Sequence, residues 1–482
     1  MMEARNYISG AWIGGPTLEV FYPADVSRSV GRYSEANEDD VQHAIEAAIA
    51  AQAGWKAIGF VERGNILSMI ASRIEHNVER LAEIATLEMG KPIGETRGEA
   101  LRAAAIFRYY SGEGFRSIGD VIPAAKPDTL QYSLREPLGT MAIITPWNFP
   151  LAIPAWKIAP ALVFGNTIVF KPGELSSLSA FLLVELMADV LPPGVINLVM
   201  GKGSTVGEAL ITHRQLNGIS FTGSRQIGQH IAATAVETGV KVQLEMGGKN
   251  PVIIADDANL NLAVDMVVSG AFRSAGQKCT ATSRVIVLEG VFENFKGLLL
   301  DKVASVKLGD PLEADTYLGP VVSAHQREKI LGYVAVGARD GARLLTGGEV
   351  DPERAGYFVA PTIFEEVQPQ DTIAQEEIFG PVIALLKAAS VAEAIAIANS
   401  VRFGLSASVF TSSLETALRF VDEIDAGMVR VNEETAGVEL QAPFGGVKDS
   451  SSHSREQGRA AIEFYTRTKT VALRPASGRG VM

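Results

Sequence analysis

Apolar and polar positions recur with helical spacing over the first hundred residues and then change period. Residues 38–56 (EDDVQHAIEAAIAAQAGWK) place apolar side chains on one helical face and begin with acidic residues, which complement the helix dipole. Helical spacing continues through 61–90 and 95–111, with Gly90 and Pro92 as the break between them. The first twenty residues read as turns and short strands. Residues 129–136 (TLQYSLRE) alternate apolar and polar, as an exposed strand does.

From residue 139 onward, short apolar runs alternate with helical segments. GTMAIITP, TIVFK, VINLVMG, GISFTG and KVQLEMGG read as strands, with helices predicted over 150–163, 177–191, 204–213 and 226–238. A second series follows. PVIIAD, SRVIVLEG, PVIALLKA, SASVFT and GMVRVN are its strands, and 260–273, 291–305 and 323–339 its helices. Such alternation predicts parallel, doubly wound sheets, which bind ligands at the carboxyl ends of their strands. The tail, EFYTRTKTVALRP, reads as an extended edge strand that pairs with 129–136 in a small separate sheet or with another subunit. There is no internal repeat and no low-complexity segment.

Composition narrows the class. The chain has 482 residues, 47% hydrophobic and 20% charged, which fits a globular protein. A single core stops growing at roughly 250–300 residues, so two or more domains are expected. The net charge of -12 argues against a nucleic-acid partner. No apolar run reaches the ~18 residues of a membrane span, and no signal peptide is visible. The single cysteine, Cys279, rules out an intramolecular disulfide and a thiolate zinc site, and suits a reducing cytoplasm. The six histidines are scattered, so no metal site is expected.

A few residues carry candidate chemistry. Cys279 lies on a polar, Gly-containing loop (SAGQKCTATS) just before a strand, whereas a packing cysteine prefers an apolar stripe. Lys278 beside it is expected to favour a thiolate. Glu245, in KVQLEMGGKNP, ends a strand ahead of two glycines and is a general-base candidate if burial raises its pKa. Asn148 sits between Pro146 and Pro150 in ITPWNFP, a stiff loop that suits an amide donor to a developing oxyanion. Lys171 and Glu174, in FKPGE, follow a buried strand and suit ribose or phosphate groups. Gly223 and Ser224, in FTGSRQIGQ, open a helix whose N-terminus suits a phosphate. The GxGxxG fingerprint is absent, and Gln229 stands where a P-loop needs lysine.

In this order, ITPWNFP, FKPGE, FTGS, LEMGGKNP, GQKC, EEIFGPV and PFGG resemble the NAD(P)-dependent aldehyde dehydrogenase superfamily over nearly the whole chain. The resemblance implies an α/β fold with two doubly wound α/β domains and a small antiparallel oligomerisation sheet. On this sequence it divides the chain into a dinucleotide-binding domain (1–120 and 140–248), a catalytic domain (249–446) and the oligomerisation sheet (121–139 and 455–482). It implies Cys279 as nucleophile, Glu245 as general base, and Asn148 with the Cys279 N–H as oxyanion donors. Lys157, in PAWKIAP, is counted with this catalytic set. Lys157 and Glu456 both match positions near the active site. Lys171 and Glu174 match contacts to the adenosine ribose, Gly223 and Ser224 the pyrophosphate loop, and Glu377 and Phe379 contacts to the nicotinamide ribose. Thr145 and Trp147 are counted with the cofactor contacts.

The implied reaction oxidises an aldehyde to an acid through a thiohemiacetal and a thioester on Cys279. The cofactor is NAD or NADP, with NAD favoured because Glu174 repels the extra phosphate of NADP. The segments around Cys279 and 438–471 are most similar to enzymes acting on 2,5-dioxopentanoate. A serine run ending in Ser452 and His453 departs from their pattern. Arg273, Lys278 and Arg102 are candidate anchors for a substrate carboxylate. Aromatic or aliphatic aldehydes, and acyl transfer to coenzyme A, remain the alternatives. A homodimer or homotetramer is expected.

Overall fold

The computed structural model describes residues 1–350 and 354–476. Its first large sheet runs, in spatial order, Lys241–Glu245, Gly218–Thr222, Thr140–Ile144, Thr167–Lys171 and Ile196–Leu198, all parallel. The antiparallel strands Asn6–Ile8 and Ala11–Ile13 extend its far edge. The chain moves one way from Thr140–Ile144 to Ile196–Leu198 and then returns to the other side of Thr140–Ile144. The strand order therefore reverses between Thr140–Ile144 and Gly218–Thr222, the crevice where such sheets bind ligands.

The second large sheet is parallel over Thr362–Glu365, Val382–Ala388, Thr282–Leu288, Asn250–Ile254, Ser406–Phe410 and Met428–Val431, with Arg343–Thr346 added antiparallel at one edge. Only Met246–Lys249 separates the last parallel strand of the first sheet from Asn250–Ile254. The carboxyl edge of one sheet thus adjoins the amino edge of the other. The central strands of both are apolar runs buried on two faces, as expected where helices cover both sides. Thr466–Leu473 pairs antiparallel with Leu130–Pro137, and Val121–Ile122 joins that pair, in a sheet of its own. The expected tail segment beyond residue 476 lies outside the described residues. No helix among the described residues is long and apolar enough to cross a membrane.

Two predicted helices differ in detail. The 61–90 segment is two helices, Phe60–His76 and Val78–Met89. Asn77 divides them because its side chain donates to the Arg73 carbonyl (2.8 Å) and satisfies the end of the first helix. The 204–213 segment begins as a wide π turn over Gly203–Gly207, where Val206 and Gly207 N–H groups both reach the Lys202 carbonyl, and becomes α-helical only over Glu208–Ile211. The edge strand Arg343–Thr346 and its neighbour Thr362–Glu365, four residues each, are not read from the sequence.

Candidate active site

The loop that leaves Thr140–Ile144 at the crevice carries Thr145, Trp147 and Asn148. Asn148 is 2% exposed and donates from Nδ2 to the Gln277 carbonyl at 2.9 Å, which ties the amide to a point two residues before Cys279. One cavity of about 180 Å³ is lined by Cys279, Asn148, Trp147, Gly223, Ser224, Glu377 and Phe379, together with Thr222, Met246, Gly247, Gln326 and Lys329. Trp147 and Phe379 meet edge to face at 5.5 Å and form one of its walls. The two glycines after Glu245 explain how these groups come so close. A Cβ on Gly247 would fall 2.1 Å from Glu377 Oε2, and one on Gly248 would fall 2.6 Å from the Cys279 carbonyl oxygen.

At the end of Gly218–Thr222, Ser224 caps the helix Arg225–Thr238 by accepting from the Ile227 N–H, and Gly223 precedes it. The Thr145 and Thr222 hydroxyls are buried without partners. Lys171 and Glu174 stand beyond the neighbouring strand Thr167–Lys171. Lys171 is buried and donates to the Pro172 carbonyl (3.1 Å), and burial lowers its pKa to about 8. Glu174 is exposed and is held by the Gly203 N–H at 2.9 Å. A helix N-terminus, orphaned hydroxyls and a cation–carboxylate pair along one crevice form a cradle that fits a dinucleotide.

The thiol and the carboxyls share one electrostatic environment. Burial pushes the Cys279 thiol up to about 12; Glu377 and Glu245 push it the same way, and the N–H groups of Thr280 and Cys279 act against them. Lys278 does not favour a thiolate, contrary to the expectation from its place in the sequence. Its amine points to the Ser269 carbonyl (3.2 Å), because adjacent residues on this loop face opposite ways. Burial raises the Glu245 carboxyl well above the usual range, and Glu456 raises it further. The Ser451 hydroxyl, Lys157 and Arg455 pull it down. Ser451 donates to Glu245 Oε2, while Oε1 is buried without a partner. Burial also raises Glu377, against the Gly248 N–H that donates to it.

Not every candidate lines the cavity. Lys157 is fully buried in an ion pair with Glu456 and donates to Ser220 at 3.0 Å, behind Glu245 and away from the cavity wall. Arg102 is held by the Val438 carbonyl and Gln457, whereas Arg273 is exposed and stacks over the Tyr317 ring. Ser451, which fixes the carboxyl of Glu245, was not visible in the sequence. Its serine run docks on the Lys241–Glu245 strand, where Ser452 exchanges hydrogen bonds with Leu244, and 206 residues separate Ser451 from Glu245.

A lone thiol, an amide and buried carboxyls beside a cradle of this kind define an oxidoreductase of the dinucleotide-dependent class. The chain belongs to the aldehyde dehydrogenase family, whose model matches residues 12–471. It is 51% identical to the alpha-ketoglutaric semialdehyde dehydrogenase of Bacillus subtilis, over 98% of each chain. It is 43% identical to the alpha-ketoglutarate semialdehyde dehydrogenase of Haloferax volcanii, over 97% of this chain and 98% of the other. A crystal structure of betaine aldehyde dehydrogenase from Staphylococcus aureus in complex with NAD+ superimposes with a TM-score of 0.95 at 35% identity, covering 99% of this chain and 96% of that one.

Proposed function

We propose that this enzyme oxidises 2,5-dioxopentanoate (α-ketoglutaric semialdehyde), or a closely similar semialdehyde bearing a distant carboxylate, with NAD. The identity with the Bacillus subtilis and Haloferax volcanii enzymes supports the substrate. The observation that carries the chemistry is the cavity shared by Cys279 and Asn148 beside the dinucleotide cradle.

In this reading Lys171 and Glu174 hold the adenosine ribose, Gly223 and Ser224 the pyrophosphate, and Glu377 and Phe379 the nicotinamide ribose, with Thr145 and Trp147 also counted as cofactor contacts. Glu174 is held in place by Gly203 and disfavours the extra phosphate of NADP. When bound, the oxidised dinucleotide supplies the hydride acceptor.

Cys279 must lose its proton before it attacks, since burial holds it as a thiol. Glu245, whose charge reaches the thiol and whose Oε1 has no partner, is proposed to receive that proton. The sulfur bonds to the aldehyde carbon, and the second N–H of Asn148 with the Cys279 N–H holds the developing alkoxide. Loss of hydride leaves the acyl group on Cys279 as a thioester. Glu245, having passed the first proton to solvent, then takes a proton from the water that cleaves the thioester, and the acid leaves as the thiolate is reprotonated. Lys157 acts from behind, since with Glu456 it sets the charge felt by Glu245.

Arg273, Lys278 and Arg102 all stand outside the cavity lining, held by Tyr317, Ser269 and Val438, so none of them is proposed as the anchor for the distal carboxylate. The Thr140–Glu245 sheet with its N-terminal helices is proposed as the dinucleotide-binding domain and the 249–446 region as the catalytic one. The Thr466–Leu473 strand, at the edge of its sheet and mostly exposed beyond the buried Thr466, is proposed to join copies of the chain into a dimer or tetramer in the cytoplasm.

An aldehyde panel with NAD and NADP, followed through the absorbance of the reduced nicotinamide, tests this reading. The expected result is a kcat/KM highest for 2,5-dioxopentanoate with NAD, and no acyl-CoA when coenzyme A is added. Higher efficiency with an aromatic or uncharged aliphatic aldehyde would overturn the substrate. Formation of acyl-CoA would overturn the hydrolytic step.

A further inference from the structure

One stripe of the helix Ile93–Ser111 carries Glu95, Glu99 and Arg102, spaced as residues that share a helical face. Each holds a different segment around the cavity. Glu95 accepts from the Ser274 N–H (3.2 Å) and from the Ser274 hydroxyl (2.5 Å). Glu99 accepts from the Leu151 and Ala152 N–H groups (2.8 and 3.1 Å), and its other oxygen takes the Lys91 ammonium (2.7 Å). Arg102 donates to the Val438 carbonyl.

The first two contacts belong to a closed circuit. The Gln277 N–H donates to the Ser274 carbonyl (3.0 Å), and the Gln277 carbonyl accepts from Asn148 Nδ2 (2.9 Å). Asn148 leads three residues on to Leu151, which returns to Glu99. The circuit therefore starts and ends one turn apart on the same helix, with the oxyanion amide and the nucleophile segment strung between. It also crosses the least relaxed backbone of the region. Ser274 and Ala275 are consecutive non-glycine residues at φ 56° and 53°. L side chains disfavour that conformation, and it persists only where the surroundings hold it. Glu95 grips both donors of the first of them.

We propose that Glu95 and Glu99 are positioning residues, and that this helix sets where Cys279 stands relative to Asn148. The proposal rests on the roles given above to Cys279 and Asn148. Glu99 also satisfies the start of the helix Ala152–Val163, which by itself is a folding role. Glu95 has no such second duty, so the test is made there.

The experiment uses the full-length enzyme with Glu95→Ala, Glu95→Gln and Ser274→Ala, and Arg97→Ala as a control on the exposed side of the same helix, where Arg97 pairs with Glu79. Steady-state kinetics, dinucleotide affinity, the rate of Cys279 alkylation by iodoacetamide and the thermal midpoint are measured for each. Glu95→Ala is expected to lower kcat about 10- to 100-fold, as a displacement near 1 Å does. Dinucleotide affinity should stay within about twofold of the parent, while the alkylation rate changes. Glu95→Gln, which keeps one acceptor oxygen, should restore most of kcat. Ser274→Ala should fall between them, and Arg97→Ala should match the parent.

A Glu95→Ala enzyme with parental kcat and alkylation rate would overturn the proposal. So would a joint fall of kcat, dinucleotide affinity and thermal midpoint that Glu95→Gln does not rescue, since that is the mark of a merely structural residue. If the parent oxidised aldehydes equally well after Cys279→Ala, the assignment beneath the proposal would fail instead, a result the Glu95 series alone cannot produce.

Discussion

Glu88 and Glu245 are buried alike, at 2% and 1% exposure, and burial raises the pKa of both. What meets their oxygens differs. Glu88 reaches the start of the helix Ser177–Ala188 and accepts from the Leu178 N–H, the Ser179 N–H and the Ser179 hydroxyl at 2.5–2.7 Å. Glu245 has one donor, Ser451, on one oxygen, and nothing on the other. A buried carboxyl with every oxygen engaged is committed to holding two helices together. One with a bare oxygen, whose charge is felt by a thiol, keeps capacity to move a proton. Under-satisfaction, more than burial, separates the residue for chemistry from the residue for packing.

The comparison is open to attack from either side. The largest effect is expected for Glu245→Gln, which keeps the shape and removes the base. Steady-state kcat should fall about 10²- to 10⁴-fold, with a thermal midpoint near that of the parent. Asn148→Ala should come next, at about 10²- to 10³-fold in kcat, the usual loss for one oxyanion donor. Glu88→Gln should leave kcat within about twofold, the mirror image of Glu245→Gln. Its cost should appear in stability instead, because an amide cannot accept from all three donors, and each donor left unmet in the interior costs about 1–3 kcal/mol.

The same pair differs in pH dependence. The Glu88 carboxyl is raised to about 7 in the folded chain, so the stability it contributes is complete below about 4.5 and is lost as the pH rises through about 7. Urea unfolding across that window should show the parent losing roughly 3 kcal/mol relative to Glu88→Gln. A flat difference would mean that the three donors hold Glu88 ionised throughout. The smallest effect concerns the thiol. With Cys279 raised to about 12, alkylation of the free enzyme should keep accelerating past pH 9, without the plateau of an ordinary cysteine.

Much of this arrangement was legible in the sequence for identifiable reasons. The buried strands are short, apolar and bounded by turn residues, so both doubly wound sheets could be read, and so could the pairing of the tail strand with 129–136. Cys279, Asn148 and Gly223 sit in loops whose prolines and glycines mark them locally, whereas Glu377 comes only through the family resemblance. Contacts made across the fold were not legible. Nothing near Glu245 in sequence announces Ser451, and nothing near Ser274 announces Glu95, 179 residues away. Adjacency also misled. Lys278 is the residue next to the thiol, but its amine serves a helix carbonyl on the other side of the loop.

The central claim, that a buried carboxyl with an unpartnered oxygen serves as proton acceptor for Cys279 and lets its sulfur carry the acyl group, is tested most directly by acid-quenching the enzyme during turnover with NAD and 2,5-dioxopentanoate and taking peptide masses. The account predicts an acyl adduct on the peptide containing Cys279, formed in the parent, diminished in Glu245→Gln and absent from Cys279→Ala, which should not turn over. An adduct on another residue, or a Cys279→Ala enzyme as fast as the parent, would contradict it.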